Sequence, residues 1–312
     1  MQDFGSMNAH VVGTLMKEAV RRAIVAIRAE RFTFEVKVKG QRPASGEGDP
    51  SRQASPDMVT SADHAAQKVY VKLLREWFPS FGIVAEEDHL RVPCTAPGCD
   101  AWFSVDPLDG TRAFIRRQSH GVGTMISLVV DGRVLAACVG DVMTQEVYAV
   151  RPWGDRVHRI SEFGIAETLR IDEERSLAGQ RMLLRTDPRR YSPALRCLIG
   201  RKHGIMQGYE TTTGSVGIGM ARVWKGEIGG AVIRAGLGTP WDMLPLIGLS
   251  RALDFAFVQV DDHDELEEVF LPVRADAIPI DRETWLIHRS RLPELHAWWT
   301  ARGRAAATVG RG

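Results

Sequence analysis

The stretch that most restricts what this chain can become is Trp102-Phe103-Ser104-Val105-Asp106-Pro107-Leu108-Asp109-Gly110-Thr111. An apolar, β-branched run, short enough to be a buried strand, ends at one acid, turns through Pro-Leu, and presents a second acid before Gly-Thr. Pro107 has no amide proton for a sheet ladder, and it biases Asp106 away from helical backbone. Asp106 therefore belongs at the strand's end and Asp109 in the turn, both directed at one small volume. Two carboxylates held that close repel each other unless a proton or a cation lies between them. For hard oxygen donors the fitting cation is magnesium, which usually keeps substrate phosphate as a further ligand. Gly110 lets backbone come close, and Thr111 opens a predicted helix whose free amides can hold an anion. The first expectation is a metal-and-phosphate site.

With 312 residues the chain can bury a large core, as one big domain or two small ones. Lysine and arginine number 40 against 39 for aspartate and glutamate, so no overall field recruits nucleic acid or an acidic membrane surface. No apolar run approaches the length of a membrane span, and the N-terminal residues show no signal-peptide pattern. Cys94, Cys99, Cys138 and Cys197 are too few and too scattered for a disulfide scaffold. Even with His89 upstream, Cys94 and Cys99 give zinc too few close ligands, so reduced cytoplasmic thiols are expected.

Spacing along the chain reads as helices and strands in turn. Val11, Val12, Leu15, Met16, Ala19, Val20, Ala23, Ile24 and Ile27 fall on one broad face of a helix over Asn8 to Glu30. The period then changes to two, and Phe32, Phe34, Val36 and Val38 predict a half-buried strand. Gly40 to Asp57, rich in Gly, Pro, Ser and charge, reads as a loop. Thr60 with Asp63 resembles a capping box ahead of a helix bearing Val69, Leu73, Leu74 and Trp77. Phe81 to Ala85 is a short apolar strand that ends in Glu86-Glu87-Asp88. Arg112 and Arg116 lie one helical turn apart and could clamp a second anionic group, although a solvated basic face is as good a reading. Thr124–Val130 and Val134–Val139 form a hairpin around Asp131-Gly132, and Glu146–Val150 is a third strand.

Beyond Pro152-Trp153-Gly154, strands are expected at Met182–Leu184, Ala231–Ile233, Phe255–Val260 and Trp285–Ile287. Helices are expected at Pro193–Ile199, after Gly214-Ser215, at Met243–Leu253 and at Leu292–Arg302. Thr239, Pro240 and Asp242 suit an N-cap, a first-turn proline and a third-position acid.

Taken together, the acids resemble a known pattern in order and context. Val59-Thr60-x-x-Asp63, Glu86-Glu87, Asp106-Pro107-Leu108-Asp109-Gly110-Thr111 and Trp241-Asp242 are similar to the signature set of the inositol monophosphatase family. The hexapeptide is the specific part, and the resemblance runs from the first helix to the neighbourhood of Phe255. It implies alternating helix and sheet layers, with an α+β half over residues 8–153, an α/β half over residues 154–305, and metals at their junction. It also implies a lithium-sensitive, magnesium-dependent phosphomonoesterase acting on a small phosphorylated metabolite, commonly a homodimer, with two or three magnesium ions.

Carried over residue by residue, Glu86, Asp106 and the Leu108 carbonyl would hold the first ion, and Asp106, Asp109 and Asp242 the second. Thr111, bonded to Asp63, would orient the attacking water. The amides of Gly110 and Thr111 would cradle phosphate, while Gly214 and Ser215 match the place that holds the rest of the substrate. Phosphoryl transfer asks a protein mainly for positioning and charge stabilisation, which suits such a set.

Departures from the pattern bear on the substrate. Ala85 stands where the family usually has Gly, Ala113 where Asn is common, and Ala235 where inositol-specific members place an acid. By contrast, Arg112, Arg116, Arg117 and Arg234 resemble the cationic residues of bisphosphate nucleotidases, which remove the 3′-phosphate of 3′-phosphoadenosine 5′-phosphate. A second phosphate needs such cations. A non-catalytic member that binds metal or a phosphorylated ligand is the alternative of another class, and the intact acid set argues against it. Nucleic-acid binding would need a continuous basic surface, which the balanced charge does not offer.

Overall fold

Apolar periodicity sorts the chain into five layers. The computed structural model describes residues 8–39, 58–202 and 204–309, with side chains as far as residue 302. The loop expected over Gly40–Asp57 lies outside the described residues. Helix α1 (Ala9–Glu30) starts where the Asn8 side chain accepts hydrogen bonds from the His10 and Val11 amides, each at 3.0 Å. Its buried face, Val12, Met16, Ala19, Val20, Ala23, Ile24 and Ile27, is the one that the spacing predicts. Strands β1 (Val36–Val38) and β2 (Met58–Thr60) form a small antiparallel ladder that leads into α2 (Ser61–Trp77), which packs along α1.

Next come β3 (Gly82–Ala85), β4 (Arg91–Val92), β5 (Ala101–Asp109), the short α3 (Thr111–Ile115), β6 (Gly123–Val130), β7 (Arg133–Asp141), β8 (Val147–Val150), β9 (His158–Ile160) and β10 (Ala166–Thr168). These strands make an eight-stranded sheet in the order β10-β9-β8-β7-β6-β5-β3-β4. All its pairings are antiparallel except β3 with β5. The hairpin turn Asp131-Gly132 takes φ of 48° and 72°, the left-handed pair that a two-residue connection requires.

The third part holds β11 (Arg181–Leu184), α4 (Pro193–Leu198), β12 (Gly208–Thr211), α5 (Val216–Trp224), β13 (Gly230–Ile233), β14 (Gly236–Gly238) and α6 (Pro240–Ala252). It closes with β15 (Phe255–Val260), β16 (Leu266–Val269), β17 (Ile278–Ile280), β18 (Thr284–His288) and α7 (Leu292–Val309). The second sheet runs β12-β11-β13-β18-β15-β16, with β12, β11 and β13 mutually parallel. β14 pairs separately with β17.

Alternation along the central strands stacks these parts. Phe103, Val105, Ile126, Leu128 and Cys138 face α1 and α2, whereas Trp102, Met125, Val129, Ala137 and Val139 face α5 and α6. The second sheet turns Leu183, Ala231, Phe257 and Leu286 to the other side of α5 and α6, and Met182, Leu184, Trp285 and Ile287 to α4 and α7. Each fully buried Leu, Ile or Phe contributes roughly 1.5–3 kcal/mol, so the middle helix pair, covered on both sides, is the most strongly anchored layer. The layered fold is the one expected.

Two details differ. Phe32 and Val38 are exposed and only three residues form β1, because a ladder of two short strands offers no sheet face for the alternation to cover. The first sheet also gains β9 and β10 and so continues to Thr168, past residue 153. All four cysteines are free thiols. No described helix is long and apolar enough to cross a membrane.

Candidate active site

Strict alternation would turn Asp106 and Asp109 to opposite faces of the sheet. They share a face because β5 carries one extra residue there: Asp106 pairs with Met125 and Asp109 with Gly123, so three steps on β5 match two on β6. Leu108, between them, drops into the α1/α2 core. Asp242 comes from the first turn of α6, and oxygens of Asp106, Asp109 and Asp242 all lie within 4.8 Å of one another.

Glu86 follows β3 beside the end of β5, its amide bonded to the Val105 carbonyl at 3.3 Å. The Gln67 side chain fixes the next residue in both directions, donating to the Glu87 carbonyl and accepting from the Glu87 amide, each at 2.9 Å. Lys39 stands over both acids, its Nζ 2.7 Å from Glu86 Oε1 and 2.8 Å from Glu87 Oε1. Nothing in the sequence marked Lys39, which reads there as one polar residue of an alternating strand.

Asp63 does two jobs. Its Oδ2 accepts from the Thr60 amide at 2.8 Å and the Thr60 hydroxyl at 2.6 Å, completing the capping box of α2. Its Oδ1 lies 3.1 Å from Thr111 Oγ1, which is also 3.2 Å from the Leu108 carbonyl oxygen. Asp109 is similarly shared. It accepts from the Val216 amide at 3.0 Å, the Gly217 amide at 2.8 Å and the Ser215 hydroxyl, and so sits at the start of α5. At α6 the hydroxyl of Thr239 makes no capping bond, contrary to expectation. It donates to Asp242 Oδ2 at 2.6 Å, and its oxygen takes no amide of the first turn.

Charge crowding is the main electrostatic fact. Burial, then the neighbouring Glu86, Asp109 and Asp242, holds the Asp106 carboxyl well above the usual carboxylate range. Burial followed by Asp109 and Glu86 raises Asp242 to about 7. Burial, helped by the Glu86 charge, outweighs the Thr60 hydrogen bonds and raises Asp63 to about 6. Glu87 is pushed up to about 8 by burial and then by Glu86. Acids this expensive to ionise together fit a group that brings positive charge, and their all-oxygen donor set suits magnesium rather than zinc.

Gly110, at φ 93°, marks the approach of the second half. A Cβ there would meet the Gly121 carbonyl oxygen at 2.4 Å and the Ser215 amide nitrogen at 2.6 Å. That contact seats the Gly214-Ser215 loop against the hexapeptide. Ser215 itself is fully buried, and its hydroxyl accepts from the Ile218 amide at 2.9 Å while donating to Asp109. Arg112 lies on α3 and Arg116 just after it, both exposed.

Arg234 leaves the end of β13 with its guanidinium 6.0 Å from the centre of the Tyr191 ring. Tyr191 Oη accepts from the Arg185 amide at 2.9 Å, and Arg185 Nη2 donates to the Gly214 carbonyl at 2.8 Å. Arg185 and Tyr191 were missed in the sequence; their only signal is position, since Arg185 directly follows a predicted strand.

Helix and sheet layers with a carboxylate cluster at the end of a central strand define a class of layered α/β proteins. Within it, the chain belongs to the inositol monophosphatase family, whose sequence profile matches residues 9–277. The Nus factor SuhB of Salmonella typhimurium is 30% identical over 224 residues, 70% of this chain and 77% of that protein. The extragenic suppressor protein suhB from Bartonella henselae superposes with a TM-score of 0.65 at 17% identity, covering 92% of this chain and 97% of that one. An IMPase/NADP phosphatase complexed with Mg2+ and phosphate gives 0.62 at 14% identity, covering 93% and 95%. At such identities the two structural likenesses speak for the fold alone.

Proposed function

We propose that the chain is a magnesium-dependent phosphomonoesterase acting on a small metabolite that carries a second anionic group. The observation that carries the reading is the approach of the Asp106, Asp109 and Asp242 oxygens within 4.8 Å, beside Glu86 and the Asp63–Thr111 pair. Family membership and the Mg2+ and phosphate in a structural relative support it. Glu86, Asp106 and the Leu108 carbonyl would hold one ion, and Asp106, Asp109 and Asp242 another. Bound magnesium would acidify water and neutralise charge on the phosphate oxygens.

The protein's own part is positional. Thr111 gives its one hydroxyl proton to Asp63 or Leu108, which leaves its oxygen lone pairs to orient a water. Asp63, raised to about 6, can take up a proton near neutral pH through that hydroxyl. The Gly110 and Thr111 amides would cradle the phosphate.

For the rest of the substrate, ligands of open α/β sheets lie beyond the carboxyl ends of the parallel strands. Arg185 and Arg234 follow the ends of β11 and β13, and neither has a carboxylate partner among the described residues. With Gly214 they would form a cationic wall suited to a second phosphate, and Arg112 and Arg116, on and just after α3, would add further positive charge. A phosphate-release panel with Mg2+ tests this, comparing inositol 1-phosphate, histidinol phosphate, fructose 1,6-bisphosphate and 3′-phosphoadenosine 5′-phosphate. The doubly phosphorylated compounds should turn over best. Arg185→Ala should raise their KM about tenfold, the loss of one charge-assisted hydrogen bond, with little change for monophosphates. The relative named as a Nus factor favours a second, non-catalytic reading, and metal binding without phosphate release from any compound would decide for it.

A further inference from the structure

The one-residue bulge that brings Asp106 and Asp109 to the same face has to be held open by something. Pro107 has no N–H to give, and the residue facing the bulge on β6 is Thr124, alone between the paired positions Met125 and Gly123. Thr124 Oγ1 donates to the Asp106 carbonyl oxygen at 3.1 Å. Because that uses its only proton, the contact of 2.8 Å between Thr124 Oγ1 and Tyr70 Oη has the tyrosine as donor. Both residues are fully buried, and Tyr70 belongs to α2, the helix that begins at Thr60 and Asp63. The Asp106 carboxylate is held from the opposite side by the Leu108 amide, at 3.0 Å from its Oδ1.

We infer that Tyr70 and Thr124 are positioning residues: a buried hydroxyl chain that pins the Asp106 carbonyl in the bulge and so fixes the spacing of the Asp106 and Asp109 carboxylates for a divalent cation. The inference rests on the metal reading proposed above. Neither hydroxyl reaches the cation's place; each acts through the backbone of a residue that does. The pair also ties α2, and with it Asp63, to the strand that carries Asp106, so one chain of two hydrogen bonds sets two sides of the site. A hydroxyl that merely satisfied a buried carbonyl would contribute to stability and leave cation affinity untouched.

The test is Mn2+ binding to the metal-free full-length protein, followed by electron paramagnetic resonance, for Thr124→Val, Thr124→Ser and Tyr70→Phe, with thermal melts alongside. Outer-sphere partners of metal ligands typically contribute 10–100-fold in affinity, so Thr124→Val should weaken Mn2+ binding about tenfold and Tyr70→Phe by about threefold. Thr124→Ser, which keeps the donor, should stay within about twofold of the unmodified protein. The Mg2+ concentration for half-maximal phosphate release should shift in the same order, with kcat at saturating Mg2+ largely retained. A folded Thr124→Val protein with unchanged Mn2+ affinity overturns the inference. If that variant does not fold, Tyr70→Phe decides in its place, and unchanged affinity there overturns the inference equally. Failure of the unmodified protein to bind Mn2+ overturns the metal reading itself, and this inference with it.

Discussion

Lys39 makes the sharpest energetic prediction, because it joins two acids that otherwise repel. Its Nζ lies 2.7 Å from Glu86 and 2.8 Å from Glu87, with side-chain exposures of 18%, 20% and 3% for the three residues. Burial works against the lysine's charge, but the two glutamates outweigh it and raise its pKa above the usual lysine value. Lys39→Met keeps the reach of the side chain and removes the charge, which leaves two neighbouring carboxylates facing each other. Breaking a fully buried pair costs 3–5 kcal/mol; with two of the three groups partly solvated, about 2 kcal/mol is expected here. Unfolding entropy of about 2.1 cal/mol/K per residue, taken over 312 residues, converts that to a fall in Tm of about 3 °C. The melt should be run in EDTA at pH 9, where Glu87, pushed up to about 8, is ionised. Saturating Mg2+ should remove most of the difference, since a cation at Glu86 replaces the missing ammonium. Equal melting of the two proteins in EDTA would refute the reasoning, as would a fall that Mg2+ does not reduce.

Two further outcomes follow from the same crowding. Asp106→Asn should cut Mg2+-dependent phosphate release by more than about a hundredfold, since on the proposed reading the change would remove a ligand rather than an outer partner. The same variant should melt higher than the unmodified protein in EDTA, because burial and the neighbours Glu86, Asp109 and Asp242 already disfavour the Asp106 charge. The pH dependence has a fixed sign. Asp63, Asp242 and Glu87 rise from 3.8, 3.8 and 4.5 to about 6, 7 and 8 on folding, so their stabilising share is complete below the unfolded values. That share is lost progressively as pH climbs from about 4 to the folded values of 6 to 8, and the metal-free Tm should fall across that window. Mg2+ should oppose the fall and release protons, which calorimetry in buffers of different ionisation enthalpy measures directly.

Elements whose partners lie close in sequence were legible. The apolar stripe of α1 needs only its own spacing, and the hairpin of β6 and β7 needs only Asp131-Gly132 to turn it. The strand expected at Phe32 to Val38 fails for the complementary reason. Alternation reports a buried face only where a sheet exists to bury it, and here Phe34 packs on Phe114, ring centres 5.0 Å apart, while Phe32 stays exposed near Arg31 and Arg117. β9 and β10 are short and largely polar, so they carry almost no periodic signal; only ladder pairing, β9 on β8 and β10 on β9, makes them strands. Lys39 and Arg185 went unseen because their meaning depends on Glu86, Glu87 and Gly214, which no local window contains.

Why the acids could be read two ways is itself a physical matter. Asp63 reads as a helix cap and Asp242 as a first-turn acid, and these readings compete in the sequence with a role beside Thr111 for the one and at a cation for the other. In the folded chain they do not compete. A carboxylate oxygen has two lone pairs, so Asp63 can accept from Thr60 through one oxygen and meet Thr111 through the other, and Asp109 can take the amides of Val216 and Gly217 while facing Asp106 and Asp242. The capping bonds hold each carboxylate in one orientation before any ligand arrives, which lowers the ordering that a cation must impose. Helix starts also supply the donors that make crowded negative charge tolerable. A site assembled from helix caps is thus easiest to build where it looks most like ordinary capping, and one-dimensional reading meets its limit there. What separates the two in the sequence is the Pro-Leu between Asp106 and Asp109: a cap needs no bulge, whereas two acids on one face of a strand three residues apart do.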